Sequence, residues 1–371
     1  MNRGIRHRLL SQGVWPSLLN AANHIKWKCY LFSIALLHFF FSSDKQWLQS
    51  SSSFSPVTVD TFSDATVLLI STGTDQQATV VIKRKRIIFV RHAESEWNFI
   101  FNRGLNLRAF MNLLRAVVYE WLVLLTGDSL FLDSPLSRRG RFQAKNLQNH
   151  VCEMSVEGRS DGDKAVAATL SPVEALYHSP LQMIEESSLL SYLCFSLPGS
   201  IVVTSNLRRT IDTARIASAS RLEVPGEKIH VLSCLQEIGR NVDTLAISKP
   251  HAVQPHEVLV DPPRGEKCHD ELFDVVESHG NKAVLGSGRD RLLTFAHWVF
   301  KQPKDVVIVY GHSLWLRAFF REFFPCNVFH EAKSTKIRNC GVVTFLLEEH
   351  SRGGGHTAQY NIPPESFQRL V

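Results

Sequence analysis

The feature that most restricts this chain is a run of consecutive apolar residues, Ile87-Ile88-Phe89-Val90, that stops at Arg91-His92. Such a run has no polar face, so as a strand it must be covered on both sides, as inside a parallel sheet. The pattern returns late in the chain, where Val306 to Tyr310 leads through Gly311-His312 into the helical spacing of Ser313 to Phe324. A third unit, Ile201-Val202-Val203 followed by 206–219, has the same order. Apolar strands alternating with helices imply an α/β fold: a mostly parallel central sheet flanked by helices on both faces. In such sheets chemistry gathers beyond the carboxyl ends of the strands, which brings His92 and His312 to one edge.

An imidazole directly after a buried strand and beside a guanidinium is costly unless an anion is expected. The cation lowers the ring pKa and keeps the nucleophilic neutral form, while the planar fork of Arg91 suits phosphate oxygens. Taken alone, this segment fits equally well a hydrogen-bonded histidine closing a strand.

Further segments separate these alternatives. Arg91-His92-Ala93-Glu94-Ser95-Glu96-Trp97-Asn98 resembles the R-H-G-x-S-x-W-N signature of the histidine phosphatase superfamily, also called phosphoglycerate mutase-like, with Ala93 in place of the motif's Gly. Asp133-Ser134-Pro135-Leu136-Ser137 with Gly140, Gln143 and Ala144 is similar to the family's D-x-P-L-T-x-x-G-x-x-Q-A helix start. Ser205-Asn206-Leu207-Arg208-Arg209-Thr210 with Thr213-Ala214 resembles S-x-L-x-R-A/T-x-x-T-A, which selects Arg209 as the second phosphate-binding arginine and leaves Arg208 as a solvent-facing neighbour. Leu235-Gln236-Glu237-Ile238 resembles the segment carrying the proton donor, and Tyr310-Gly311-His312-Ser313 the segment carrying the second histidine. Each match is weak by itself; together they stand in the family's order from Ile87 to about Leu347.

The resemblance implies a three-layer sandwich with a helical insertion and a phosphoric monoester hydrolase that needs neither metal nor cofactor. It implies catalysis by His92, Glu237, His312, Arg91 and Arg209. His92 takes the phosphoryl group, Arg91, Asn98, Arg209 and a protonated His312 hold its oxygens, and Glu237 protonates the leaving alcohol. Glu94 and Glu96 are rival acids ranked below Glu237. Glu237-Ile238-Gly239-Arg240-Asn241 departs from the E-R-x-Y-G continuation of the family's mutases, which favours hydrolysis over mutase-type transfer. A third alternative is a catalytically inactive phosphate-binding scaffold. The substrate, a phosphorylated small molecule or protein, is not legible.

At 371 residues and 44% hydrophobic composition the chain can bury a sizeable core. The net charge of +6 arises partly from Arg3, Arg6, Arg8, Lys26 and Lys28, which precede the first acidic residue, Asp44. The Lys83 to Arg86 cluster reads as a solvated strand entry, so no nucleic acid partner is expected. Seven cysteines without a C-x-x-C pair read as reduced thiols and imply no zinc site.

Three segments are expected. Residues 1–43 form a basic leader whose apolar run, 29–41, has signal-core length; a signal peptide, a short anchor, an organelle transit peptide and an extension with no role remain open. Residues 44–77 read as a Ser/Thr-rich linker, and 78–371 as the catalytic domain, expected in the cytoplasm, with anchoring or organelle targeting left to the leader. Helices are expected over 107–125 and 136–151, and a surface loop over 156–169; 173–198 has no clear assignment. Leu107 to Leu125 repeats apolar residues at three- and four-residue intervals, fitting a packed cap or core helix and, less directly, a lid or membrane-surface helix. Membrane contact is assigned to 29–41 or 105–125.

Overall fold

The computed structural model describes residues 14–44, 68–69, 79–101, 107–162, 188–254, 269–352 and 358–371. The central sheet contains β1 (Leu68–Leu69), β2 (Thr79–Arg91), β3 (Ser200–Ser205), β4 (Ile229–Leu232), β5 (Phe273–Asp274), β6 (Val306–Gly311), β7 (Val342–Arg352), β8 (Gln359–Asn361) and β9 (Gln368–Arg369). Its order is β5-β4-β3-β6-β2-β7-β8, with β1 beside β2 and β9 beside β7. The five strands from β5 to β2 are parallel. The expectation of a mostly parallel sheet is corrected beyond that block, because β7 pairs antiparallel with β2 along almost its whole length and β8 and β9 follow it. The basic cluster explains this edge: Arg84 lies opposite Glu348 and Lys83 opposite Glu349, with ion pairs of 2.8 Å and 3.5 Å. Opposite charges facing across a ladder favour this register.

Alternate residues of β2 enter different cores, as the period of two requires. Ile87 and Phe89 pack with α6 (Gly288–Lys301) and α7 (Ser313–Phe323) on one face. Ile88 and Val90 pack with α4 (Arg138–Gly162) and α5 (Arg208–Ala217) on the other. Helices therefore cover both faces. α4 runs beyond the expected end and through the first part of the expected 156–169 loop; residues 163–187 lie outside the described residues. Residues 188–194, for which the sequence offered no assignment, are helical. Cys194 in that helix is bonded to Cys152 of α4, which overturns the reading of all cysteines as thiols. The pair is separated by 42 positions and meets only because both helices share the second core.

The 99–132 insertion holds the end of α2 (Glu96–Phe101) and α3 (Leu107–Leu122). The segment read as a leader contains α1 (Val14–Phe41), and it does not stand apart from the domain. Lys28, Leu31, Ala35 and His38 recur at helical spacing on its buried stripe. Leu31 joins Leu132 and Ile247, Trp27 Nε1 donates to Ile247 O at 2.7 Å, and Lys28 Nζ donates to Val123 O at 2.7 Å. Asp44, the first residue of the expected linker, is buried; of the remainder only Leu68–Leu69 lies among the described residues. Among the described residues no helix is long and apolar enough to cross a membrane.

Candidate active site

β2 and β6 are direct neighbours, with Arg91 level with Gly311, so the residues that follow both strands must meet. His92 N–H donates to Gly311 O at 3.0 Å, and the rings of His92 and His312 stand 5.2 Å apart between centroids. Gly311 is required by this approach: a Cβ there would lie 2.7 Å from Phe89 Cζ.

The turn after β2 is held from several sides. Ala93 N–H donates to Thr213 Oγ1 at 3.0 Å, and Asn339 Nδ2 donates to His92 O at 2.9 Å. Glu94 N–H donates to Gln143 Oε1 at 2.9 Å, and Ser137 Oγ donates to a Glu94 carboxylate oxygen at 3.0 Å. A Cβ on Gly140 would fall 2.0 Å from Glu94 O. The Ser137, Gly140 and Gln143 positions of the helix-start motif thus brace the turn after β2, and Glu94 serves as part of that brace.

His92 Nδ1 lies 2.7 Å from Ala93 O. A carbonyl only accepts, so Nδ1 carries the proton, and in the neutral ring the lone pair is on Nε2. Burial, then Arg209 and Arg91, drive the His92 pKa well below its ordinary value. The same causes, burial first and then Arg209, His92 and Arg91, lower that of His312. In the protein by itself the low dielectric and two guanidiniums favour the neutral form of His312, whereas the expected protonated form is that of a site holding an anion. Both His312 ring nitrogens are buried without a hydrogen-bond partner in the protein. Buried polar atoms are rarely left so, and here they lie among cations, an arrangement suited to an anion.

Arg91 Nη1 donates to Ile337 O at 2.6 Å, and Arg209 Nη1 to Asp243 O at 2.7 Å. These backbone acceptors hold the guanidiniums by one nitrogen each. Glu237 is buried, and a carboxylate oxygen accepts from Ile238 N–H at 3.0 Å and Trp315 N–H at 2.9 Å. The second donor belongs to the first turn of α7, whose N–H groups have no helical partner. Burial pushes the Glu237 carboxyl above its ordinary value, against the pull of Arg209 and the Trp315 N–H.

His92, His312, Arg91, Arg209 and Glu237 are thus brought together. Asn98 has a different first role: its Oδ1 accepts from Ser95 N–H at 3.4 Å and Ser95 Oγ at 3.1 Å, closing the turn into α2.

Arg208 is corrected outright. It is buried, ion-paired with Asp128, and donates through Nη2 to Ser129 O at 2.5 Å and through Nε to Asp133 O at 2.8 Å. The helical angle between Arg208 and Arg209 turns them apart as expected, but the 99–132 insertion supplies the carboxylate that makes the second direction an interior one. Asp133 also receives Arg208 N–H and Ile247 N–H, while burial raises its pKa to about 6.

Residues to which the sequence reading gave no place in the site support Glu237. Lys282 Nζ donates to Glu237 O at 2.8 Å, Gly239 O at 2.6 Å and Asp44 Oδ2 at 2.9 Å. Arg291 donates to Gln236 O at 2.6 Å and Asp44 Oδ1 at 2.6 Å. Burial opposes ionisation of Asp44, but Lys282 and Arg291 outweigh it and hold the carboxyl below its ordinary range. No motif marks this triad, which comes from three distant segments.

No family model matches the chain, and no curated protein matches it. Solved structures similar to it include a mycobacterial hydrolase, with 13% identity and a TM-score of 0.34, covering 76% of this chain and 97% of that one. A mycobacterial glucosyl-3-phosphoglycerate phosphatase follows with 13% identity, a TM-score of 0.32, and coverage of 76% and 98%. A putative alpha-ribazole-5'-P phosphatase from Escherichia coli shows 12% identity, a TM-score of 0.32, and coverage of 76% and 96%. These neighbours include phosphatases; at such identities and scores, the functional case rests on the residues of this chain.

Proposed function

We propose that this chain is a phosphomonoester hydrolase that works through a phosphohistidine on His92. The observation that carries the reading is the buried His92 ring, its Nδ1 tied to Ala93 O and its centroid 5.2 Å from that of His312, in a site where Arg209 and Arg91 add to burial in favouring its neutral form.

In the first step the Nε2 lone pair attacks phosphorus as the bond to the ester oxygen breaks, and the Glu237 carboxyl proton passes to that oxygen. In the second, water attacks phosphorus, its proton goes to Glu237, and the nitrogen–phosphorus bond breaks to release inorganic phosphate. Arg91 and Arg209 neutralise the equatorial oxygens, the main demand of phosphoryl transfer. His312 is drawn towards its cationic form by an arriving dianion, which opposes the effect of the arginines. The raised pKa of Glu237 favours the protonated acid needed first, and the lowered pKa of His92 favours the free nucleophile. Hydrolysis is preferred to mutase-type transfer because Ile238 to Asn241 replaces the continuation that would retain a sugar-acid phosphate.

The test uses the full chain, since Asp44 belongs to the folded unit. Hydrolysis of p-nitrophenyl phosphate and trapping of an acid-labile phosphoenzyme are measured beside His92→Ala and Glu237→Gln. The expected result is loss of both signals in His92→Ala. For Glu237→Gln the expected loss is about 10²-fold or more, greater for esters with poor leaving groups. Turnover that survives in His92→Ala would overturn the mechanism. Phosphate binding without turnover or trapping would support the scaffold alternative.

A further inference from the structure

We propose that the outward faces of α1 and α3 form one surface that seats on an anionic lipid bilayer, with neither helix crossing it. This inference is independent of the phosphatase reading.

On α3 the large apolar residues point away from the protein: Phe110 is 62% exposed, Val118 52%, Trp121 72% and Leu122 74%. At 100° per residue these four lie within an arc of about 120°. The opposite side is inside, where Ala116 packs with Ile100 and Leu130. The amphipathic pattern is therefore real but turned outward, the reverse of a helix covering a core. The second half of α1 repeats the arrangement. With Leu31, Ala35 and His38 directed inward, Phe32, Phe39, Phe40 and Phe41 remain 52% to 66% exposed. Exposed apolar surface on this scale marks an interaction site.

The charges select the occupant. Over 14–44 and 107–128 the acidic residues are Asp44, Glu120 and Asp128, and each is turned inward. Asp44 binds Lys282 and Arg291, Asp128 binds Arg208, and a Glu120 carboxylate oxygen accepts from Ser129 Oγ at 3.1 Å and Leu130 N–H at 2.8 Å. Lys26 and Arg115 are exposed. An apolar face with aromatic residues, a basic rim and no outward carboxylate is complementary to anionic headgroups above acyl chains. A protein partner would carry no such uniform demand on sign.

The anchoring of α1 fixes how it meets the bilayer. Lys28 Nζ holds Val123 O at 2.7 Å, which joins α1 to the end of α3, and His38 Nε2 contacts Lys282 O at 3.2 Å. Bound along its inner stripe, α1 lies against the protein and offers a side, not an end, to the membrane.

The test is co-sedimentation of full-length protein with phosphatidylcholine vesicles, with and without phosphatidylserine, alongside light scattering of the protein alone. Capture is expected by phosphatidylserine vesicles and should weaken as salt rises. Trp121→Glu/Leu122→Glu should reduce capture about a hundredfold or more, and Arg115→Ala about fivefold. Circular dichroism of the same variants verifies that they are folded. Lys26→Ala serves as a second variant should the double substitution fail to fold. Binding indifferent to phosphatidylserine, or no capture by either vesicle, would overturn the proposal. So would a dimer in solution that Trp121→Glu/Leu122→Glu dissociates while vesicles capture nothing.

Discussion

α7 and α3 both repeat large apolar residues every three or four positions, yet Trp315 and Phe319 of α7 are 1% and 0% exposed while Phe110 and Trp121 of α3 are 62% and 72% exposed. α7 starts directly from β6 through His312, so the strand dictates its direction and its apolar face falls onto the sheet. α3 lies in the connection between β2 and β3, where α4 and α5 already pack on that face. It is attached instead through the small Ala116 and the inward Glu120. Period tells that a helix has two sides; what lies beneath tells which side is inside.

The largest expected contrast is in stability. Trp315→Ala removes a buried indole that stacks on Phe89 and Phe319 and whose Nε1 donates to Cys234 O, so it should cost about 3–5 kcal/mol. Trp121→Ala should stay within about 0.5 kcal/mol of the parent. Urea denaturation compares the two, and equal losses would mean that α3 is packed after all.

A smaller effect concerns how the second core is closed. The Cys152–Cys194 bond cross-links 42 positions, for which chain entropy gives about 2–4 kcal/mol. Cys152→Ser/Cys194→Ser should lower the unfolding free energy read from urea titration by that amount, and the parent should lose the same on reduction. A parent indifferent to reductant would show that the two sulfurs remain thiols.

The smallest effect is in the pH dependence of stability, where buried charge contrasts with the exposed basic rim. Asp133, raised to about 6 from 3.8, and Glu237, also raised, favour the folded state at low pH and lose that contribution as pH rises through their folded values. His92 and His312, lowered from 6.5, contribute above that value and lose it as pH falls. The pairs oppose each other between about pH 4 and about pH 6.5. His312→Gln removes one histidine, so its stability should fall less on acidification than that of the parent. An identical slope in urea titrations at the two ends of this window would contradict the buried neutral His312.

Much of the site was legible because its residues follow strands. An apolar run ending in Arg91-His92 and another ending in Gly311-His312 predict two histidines at one sheet edge, and β2 beside β6 is the simplest way to satisfy both. Glu237 and Arg209 were legible only through their motifs, since an isolated glutamate or a pair of arginines carries no period. The burial of Arg208 was not legible, because the sequence around it is silent about Asp128, which arrives from the insertion. The antiparallel edge was partly encoded in Lys83 and Arg84, whose partners Glu348 and Glu349 lie far along the chain.

The sequence by itself determined the buried strands through Ile87, Ile201 and Val306 and the helices over 107–122, 138–151, 208–217 and 313–323, and which reactive residues stand where strands end, because periodicity and chain adjacency act over a few residues. Tertiary structure alone decided that Asp44 closes a charge cluster behind Glu237, that Cys152 meets Cys194, and that α3 faces outward. Each of these depends on which surface is already covered and which distant group arrives there, and no local pattern carries that information.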